Sequence, residues 1–208
     1  MNATPDQQLW HRFQQGDETA FQQLHQQHIR HLLNYGLRLY GSLSAVEDCI
    51  QDVFVELWQY RQGLTQPTSV RFYLLRALRN RLRAQYRRDQ PFVSGWDDDG
   101  EQAGQAGQNR LPFDTEPSAE EQLIALDIDA ERKALIHQTL QALSARQREI
   151  IYLRYFNDLT YEQICEVMQI NYQTARSQIY TALKLIRKNL KNSDIAGSLF
   201  VYFLLQQK

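Results

Sequence analysis

The chain of 208 residues is 43% hydrophobic and 23% charged, which is enough apolar material for one large or two small cored domains. Its formal net charge of −1 argues against indiscriminate nucleic-acid binding. The two cysteines, Cys49 and Cys165, stand alone in apolar helical patterns and read as small buried hydrophobes in a reducing cytosol.

The opening stretch MNATPDQQLWHRF is polar and amphipathic, without the apolar core of a secretion signal. Asp17 is placed to cap the next helix, a Gln-rich amphipathic segment with His25, His28 and His31 at helical spacing. No Cys or acid at matching spacing supports a metal there, so the histidines read as a solvated face. Ser44 with Glu47 forms a capping box before AVEDCIQDVFVELWQYR. In that helix Val46, Ile50, Val53, Phe54 and Leu57 turn inward. Asp48, Gln51, Asp52, Val55, Trp58 and Gln59 remain on or near the outside. A large aromatic among carboxylates on an exposed face suggests a protein-binding surface anchored by Trp58. The competing reading has Trp58 packed against a neighbouring helix of its own domain.

Ser69 caps the following helix, SVRFYLLRALRNRLRAQYRR. Leu74, Leu75, Leu78 and Leu82 fall on one face, and Arg76, Arg79, Asn80, Arg83 and Arg87 on the other. Residues 71–88 hold seven arginines and no acid, whereas a merely solvated helix usually interleaves both signs. Such a guanidinium ridge follows a phosphate backbone, and Phe72 and Tyr73 at its start can stack on unpaired bases. Between Asp89 and Glu121 the balance reverses, with nine acids against Arg110 alone. This stretch, rich in Gly, Gln, Pro and acid, reads as a flexible tether.

Capping boxes return at Ser118 with Glu121, Ser144 with Gln147 and Thr160 with Gln163. LTYEQICEVMQINYQTARSQIYTALKLIRK then reads as two helices around a tight corner. Leu159, Ile164, Val167 and Met168 form one apolar face, Ile170 fills the corner, and Ala175, Ile179, Leu183, Ile186 and Leu190 continue the stripe. Asn171 caps the second helix, which leaves Gln173, Arg176, Ser177, Tyr180 and Lys184 outward, the division a major-groove helix needs. Gln169 occupies the corner position where glycine is usual, at a cost of about 1 kcal/mol if φ is positive there. The tail IAGSLFVYFLL is apolar but shorter than the ~20 residues a membrane span requires, so no stable membrane insertion is expected.

Strand signals are scarce. The expected fold is therefore all-α: two small helical domains joined by a flexible acidic linker, the second a helix-turn-helix domain. An enzyme would need a carboxylate cluster or an activated nucleophile held in geometry, and the acids here gather in the tether. A one-component helix-turn-helix activator is the main rival, and it requires a ligand-binding or dimerising first domain.

The order of these motifs resembles a known family. The acidic helix pattern E-D-x-x-Q-[DE]-x-F-x-x-x-W runs from Glu47 to Trp58, and an arginine helix with Arg79-Asn80 and an acidic linker follow. Then come L-x-x-R-[QE]-R-x-[IV] from Leu143 to Ile150 and the helix-turn-helix. Together they are similar to the extracytoplasmic-function (ECF) RNA polymerase sigma factors. The segment Asn171 to Arg176 and the apolar tail are most similar to the iron-starvation-type group of Bacteroidetes.

The resemblance implies residues 1–90 as sigma domain two, 91–117 as linker, 118–192 as sigma domain four and 193–208 as a C-terminal tail. It implies core RNA polymerase, promoter DNA and an anti-sigma factor as partners, no cofactor, no small-molecule substrate and a cytoplasmic location. Asp48, Gln51, Asp52, Val55 and Trp58 would bind the clamp helices of the polymerase large subunit. The loop from Gln59 to Val70, with Phe72, Tyr73, Arg76, Arg79, Asn80, Arg83 and Arg87, would capture and melt the minus-ten element. Asn171, Gln173, Thr174, Arg176, Ser177, Gln178, Tyr180 and Lys184 would serve the minus-thirty-five element. Gln169 and Gln178 depart from the family's glycine and arginine, which bears on the detailed contacts to that DNA.

Overall fold

The computed structural model describes residues 5–89, 113 and 138–190. The described elements are α1 (Pro5–Gln14), α2 (Glu18–Tyr40), α3 (Leu43–Gln59), a 3-10 turn (Arg61–Gly63), α4 (Val70–Asp89), α5 (Ala145–Tyr155), α6 (Tyr161–Met168) and α7 (Tyr172–Leu190). The chain divides into two compact units, Met1–Arg110 and Leu111–Lys208. Among the described residues there is no strand. The Ser118–Glu121 capping box, most of the tether and the apolar tail lie outside the described residues.

In the first unit α2 is the central packing element. Its N-cap Asp17 accepts from Ala20 N at 3.0 Å, satisfying one of the orphan donors of the first turn. It ends at Gly41, whose φ of 74° a side chain would strain and whose N–H closes on Leu37 O. Leu24, Leu32, Tyr35 and Leu39 line its buried face against Val46, Ile50 and Leu57 of α3 and Leu74, Leu75, Leu78 and Leu82 of α4. At Gly36 the helices come so close that an added Cβ would meet Val46 Cγ1 at 2.5 Å.

Three expectations need correction here. α3 begins before Ser44: Ser42 is the N-cap and accepts from Ala45 N at 3.5 Å, so Ser44 lies inside the first turn. The histidines do not form a solvated face. His28 is buried at 3% exposure beside Asp6 of α1 and Arg71 of α4, and His25 packs edge-on against Phe54 of α3 at 4.7 Å. Cys165 is only partly buried, whereas Cys49 is buried; both are free thiols.

The second unit is built on local caps. Ser144 Oγ accepts from Gln147 N at 3.2 Å while Gln147 Oε1 accepts from Ser144 N at 3.0 Å. Thr160 and Gln163 make the same reciprocal pair at 3.3 and 3.0 Å. Ile150, Leu153, Leu159, Ile164, Val167, Ala175 and Ile179 fill the core between α5, α6 and α7. Phe113 falls within the stretch read as tether. It is buried at 3% exposure against Tyr152 of α5, ring centroids 5.4 Å apart, and so belongs to this unit's packing.

Candidate nucleic-acid and protein interfaces

The α6–α7 corner turns on Gln169, which adopts φ 54° and ψ 51°, the left-handed conformation that glycine enters without cost. The N–H groups of Gln169 and Ile170 both close on Cys165 O, which satisfies the end of α6. Asn171 Oδ1 then accepts from Thr174 N at 2.7 Å and starts α7. Ala175, Ile179 and Ala182 anchor α7 inward. Gln173, Arg176, Ser177, Tyr180 and Lys184 lie exposed, Tyr180 at 68%, while Thr174 and Gln178 are half-buried. The apolar stripe weakens along the helix, since Leu183 is 36% exposed. Tyr172 and Tyr161, with ring centroids 5.7 Å apart, add an aromatic pair beside the corner that the periodicity did not single out.

On α4 the leucine face is fully buried, which fixes the opposite face outward. Arg76, Asn80 and Arg87 are exposed and Arg83 is half-buried. Arg79 is not on this ridge, being 8% exposed. It follows Leu75 by four residues and precedes Leu82 by three, so it shares their stripe. The half-buried ring of Tyr73 meets Trp10 edge-on at 5.4 Å, and burial raises the pKa of its hydroxyl, so the ring also packs within its own unit. Phe72 is half-buried, with its N–H held by Ser69 Oγ at 3.2 Å.

On α3, Asp48, Gln51 and Asp52 are exposed and Val55 is 46% exposed. Trp58 is half-buried, with Phe21 at 5.0 Å and the Arg61 guanidinium 4.3 Å over its ring. The indole thus packs within its own unit and also lines the groove beside Gln51 and Val55. A groove of about 550 Å³ runs between α2 and α3, floored by Phe21, Ile29, Leu33, Ile50 and Phe54 and rimmed by Glu47, Gln51, Val55 and Gln59. Arg81, absent from the expected ridge, pairs with Asp52 at 2.8 Å and with Glu56, tying α4 to the acidic face. Among the described residues no group of three His, Cys, Asp or Glu is placed to hold a metal, and no helix is long and apolar enough to cross a membrane.

An acidic helix and an arginine helix in one unit, with a capped helix-turn-helix in another, define a protein that meets DNA and a protein partner at once. Residues 24–91 match the family "Sigma-70 region 2" and residues 133–186 match "Sigma-70, region 4". The chain is 30% identical over 190 residues to the RNA polymerase sigma-H factor of Pseudomonas aeruginosa, covering 89% of this chain and 94% of that protein. It is 27% identical over 173 residues to the ECF RNA polymerase sigma factor SigL of Mycobacterium tuberculosis, covering 83% and 89%. In fold it is similar to the sigma factor RpoE in the complex with the anti-sigma factor NepR from Bartonella quintana. That likeness has a TM-score of 0.54 at 22% identity and covers 82% of this chain and 96% of that one.

The chain belongs to the sigma-70 family and is of its ECF type. It is an RNA polymerase sigma factor for promoter-directed transcription initiation. The one-component activator reading fails at the first unit, which is sigma region 2 where that reading needs a ligand-binding or dimerising domain.

Proposed function

We propose that the two units divide the work of initiation residue by residue. Residues 1–90 bind the polymerase clamp through Asp48, Gln51, Asp52, Val55 and Trp58 of α3, the indole lining the groove beside Gln51 and Val55. Arg76, Asn80, Arg83 and Arg87 of α4, with the loop from Gln59 to Val70, hold and open the minus-ten element. Residues 118–192 read the minus-thirty-five element through α7, with Arg176 the direct base reader and Gln173, Ser177, Tyr180 and Lys184 beside it. Residues 91–117 form the tether, with Phe113 docked on the second unit, and 193–208 form an apolar tail.

The observation that carries this assignment is the division of α7, whose first turns expose Gln173, Arg176 and Ser177 while Ala175 and Ile179 are buried. A guanidinium there can reach a guanine edge with two hydrogen bonds. The chain acts by binding in the cytoplasm, with no catalytic group of its own. An anti-sigma partner regulates it, a reading supported by the complex of similar RpoE with the anti-sigma factor NepR. The segment Asn171 to Arg176 and the apolar tail support membership of the iron-starvation-type group. The test is to mix the purified chain with core RNA polymerase and assay run-off transcripts. Promoter-dependent transcripts are expected, and transcripts that ignore both promoter elements would contradict the assignment.

A further inference from the structure

Helix α1 precedes the residues matched to sigma region 2, yet it is tied to the loop between α3 and α4 from both sides. The side-chain amide of Gln14 donates to Leu64 O in a partly buried position. In return the Gln66 amide reaches the Gln7 carbonyl at 3.4 Å. Beneath these contacts Trp10 and Phe13 have no exposed surface. Trp10 meets Tyr73 in the first turn of α4, and Phe13 lies 6.2 Å from Trp58 at the end of α3, so the aromatic seam joins α1 to both ends of the loop. Arg61 closes the frame, its Nη1 donating to Trp58 O at 2.6 Å.

Apart from the short turn Arg61–Gly63, this loop has no regular structure to hold it. A loop that must grip an unpaired base loses conformational freedom on doing so unless that freedom has been removed beforehand. Gln66 is bonded to α1 though exposed, and Tyr60, Gln62, Thr65 and Thr68 also expose polar side chains to solvent on the loop. We propose that α1 is a brace that sets the conformation of the 60–69 loop, with Gln14 its positioning residue. A helix outside the residues matched to sigma region 2 thereby governs how sharply the minus-ten bases are read. The inference rests on the assignment of this loop to the minus-ten element.

Gln14→Met removes the donor and keeps the length of the side chain. Holoenzyme carrying this full-length variant is assayed for open-complex formation on promoters bearing every single-base change in both elements, alongside affinity for core polymerase and thermal stability. Discrimination within the minus-ten element should fall about three- to tenfold, the size of one lost hydrogen bond, with the minus-thirty-five profile and core affinity unchanged. The triple variant Gln62→Ala, Thr65→Ala, Thr68→Ala probes the loop directly. If it alters the minus-ten profile while Gln14→Met does not, the brace is refuted and the loop assignment stands. If neither alters it, the loop assignment falls and the brace falls with it. If Gln14→Met lowers both profiles, core affinity and stability together, α1 is ordinary scaffolding and the proposal is overturned.

Discussion

His28 sits between α1 and α4 with both ring nitrogens lacking a hydrogen-bond partner, and Asp6 of α1 lies 3.5 Å from Nε2, too far for a normal hydrogen bond. Burial pushes its pKa below the ordinary value of 6.5, Asp6 opposes that shift, and Arg71 of α4 and His31 on its own helix add to it. A histidine whose folded pKa is depressed binds its proton more readily in the unfolded chain. Its contribution is therefore present above the unfolded pKa and is lost as pH falls. The first unit should melt at a lower temperature at about pH 5 than at about pH 7.5, and His28→Leu should remove much of that difference. A melting temperature in the variant as pH-dependent as in the wild type would assign the effect to other groups. Side chains like this one are hard to read from sequence, because the helices that bury His28 come from distant segments. Gln169 is the opposite case: it stands at the corner where glycine is usual, so the sequence marks the place at which a positive φ would fall. Arg79 is hard to place for a local reason: it belongs to the arginine series by charge, yet by spacing it shares the buried stripe of Leu75 and Leu82.

At the scale of elements, the half-burial of Trp58 changes what its mutation reports. Trp58→Ala removes an indole packed on Phe21 and Arg61, so it should cost the first unit about 2 kcal/mol or more of stability as well as weakening polymerase binding. Val55→Asp on the exposed face should lower affinity for core polymerase at least ~10-fold while leaving the melting temperature within the error expected of a surface change. Equal affinity for core in both proteins would move the interface off α3. The helix starts at Ser144, Thr160, Asn171 and Asp17 were legible because a cap is a contact across three residues. Ser42 and Ser44 are both capable caps, and what favours Ser42 is Gly41 just before it, which ends α2 and leaves no room for a longer connection.

For the whole molecule, the two-unit helical plan was legible because hydrophobic period and composition shift are both carried along the chain. The docking of Phe113 was not, since the scattered aromatics of this Gly- and acid-rich stretch follow no helical period. Phe113→Ala should destabilise the second unit by about 3 kcal/mol and leave the first unchanged, a split that hydrogen exchange in α5 against α2 resolves. Equal exchange in both proteins would mean that the ring adds nothing to the second unit. The central claim is that separate surfaces read and open the promoter. Its most direct test compares holoenzymes carrying wild type, Arg176→Ala and Arg83→Ala on promoters with every single-base change in the upstream element, presented as duplex and melted in advance. Arg176→Ala should lose preference at one base position, worth about 1–3 kcal/mol, on both templates. Arg83→Ala should keep the wild-type preference profile, open the duplex more slowly and recover in part on the melted template. An unchanged profile for Arg176→Ala, or a defect in Arg83→Ala that melting does not relieve, would contradict the division of labour.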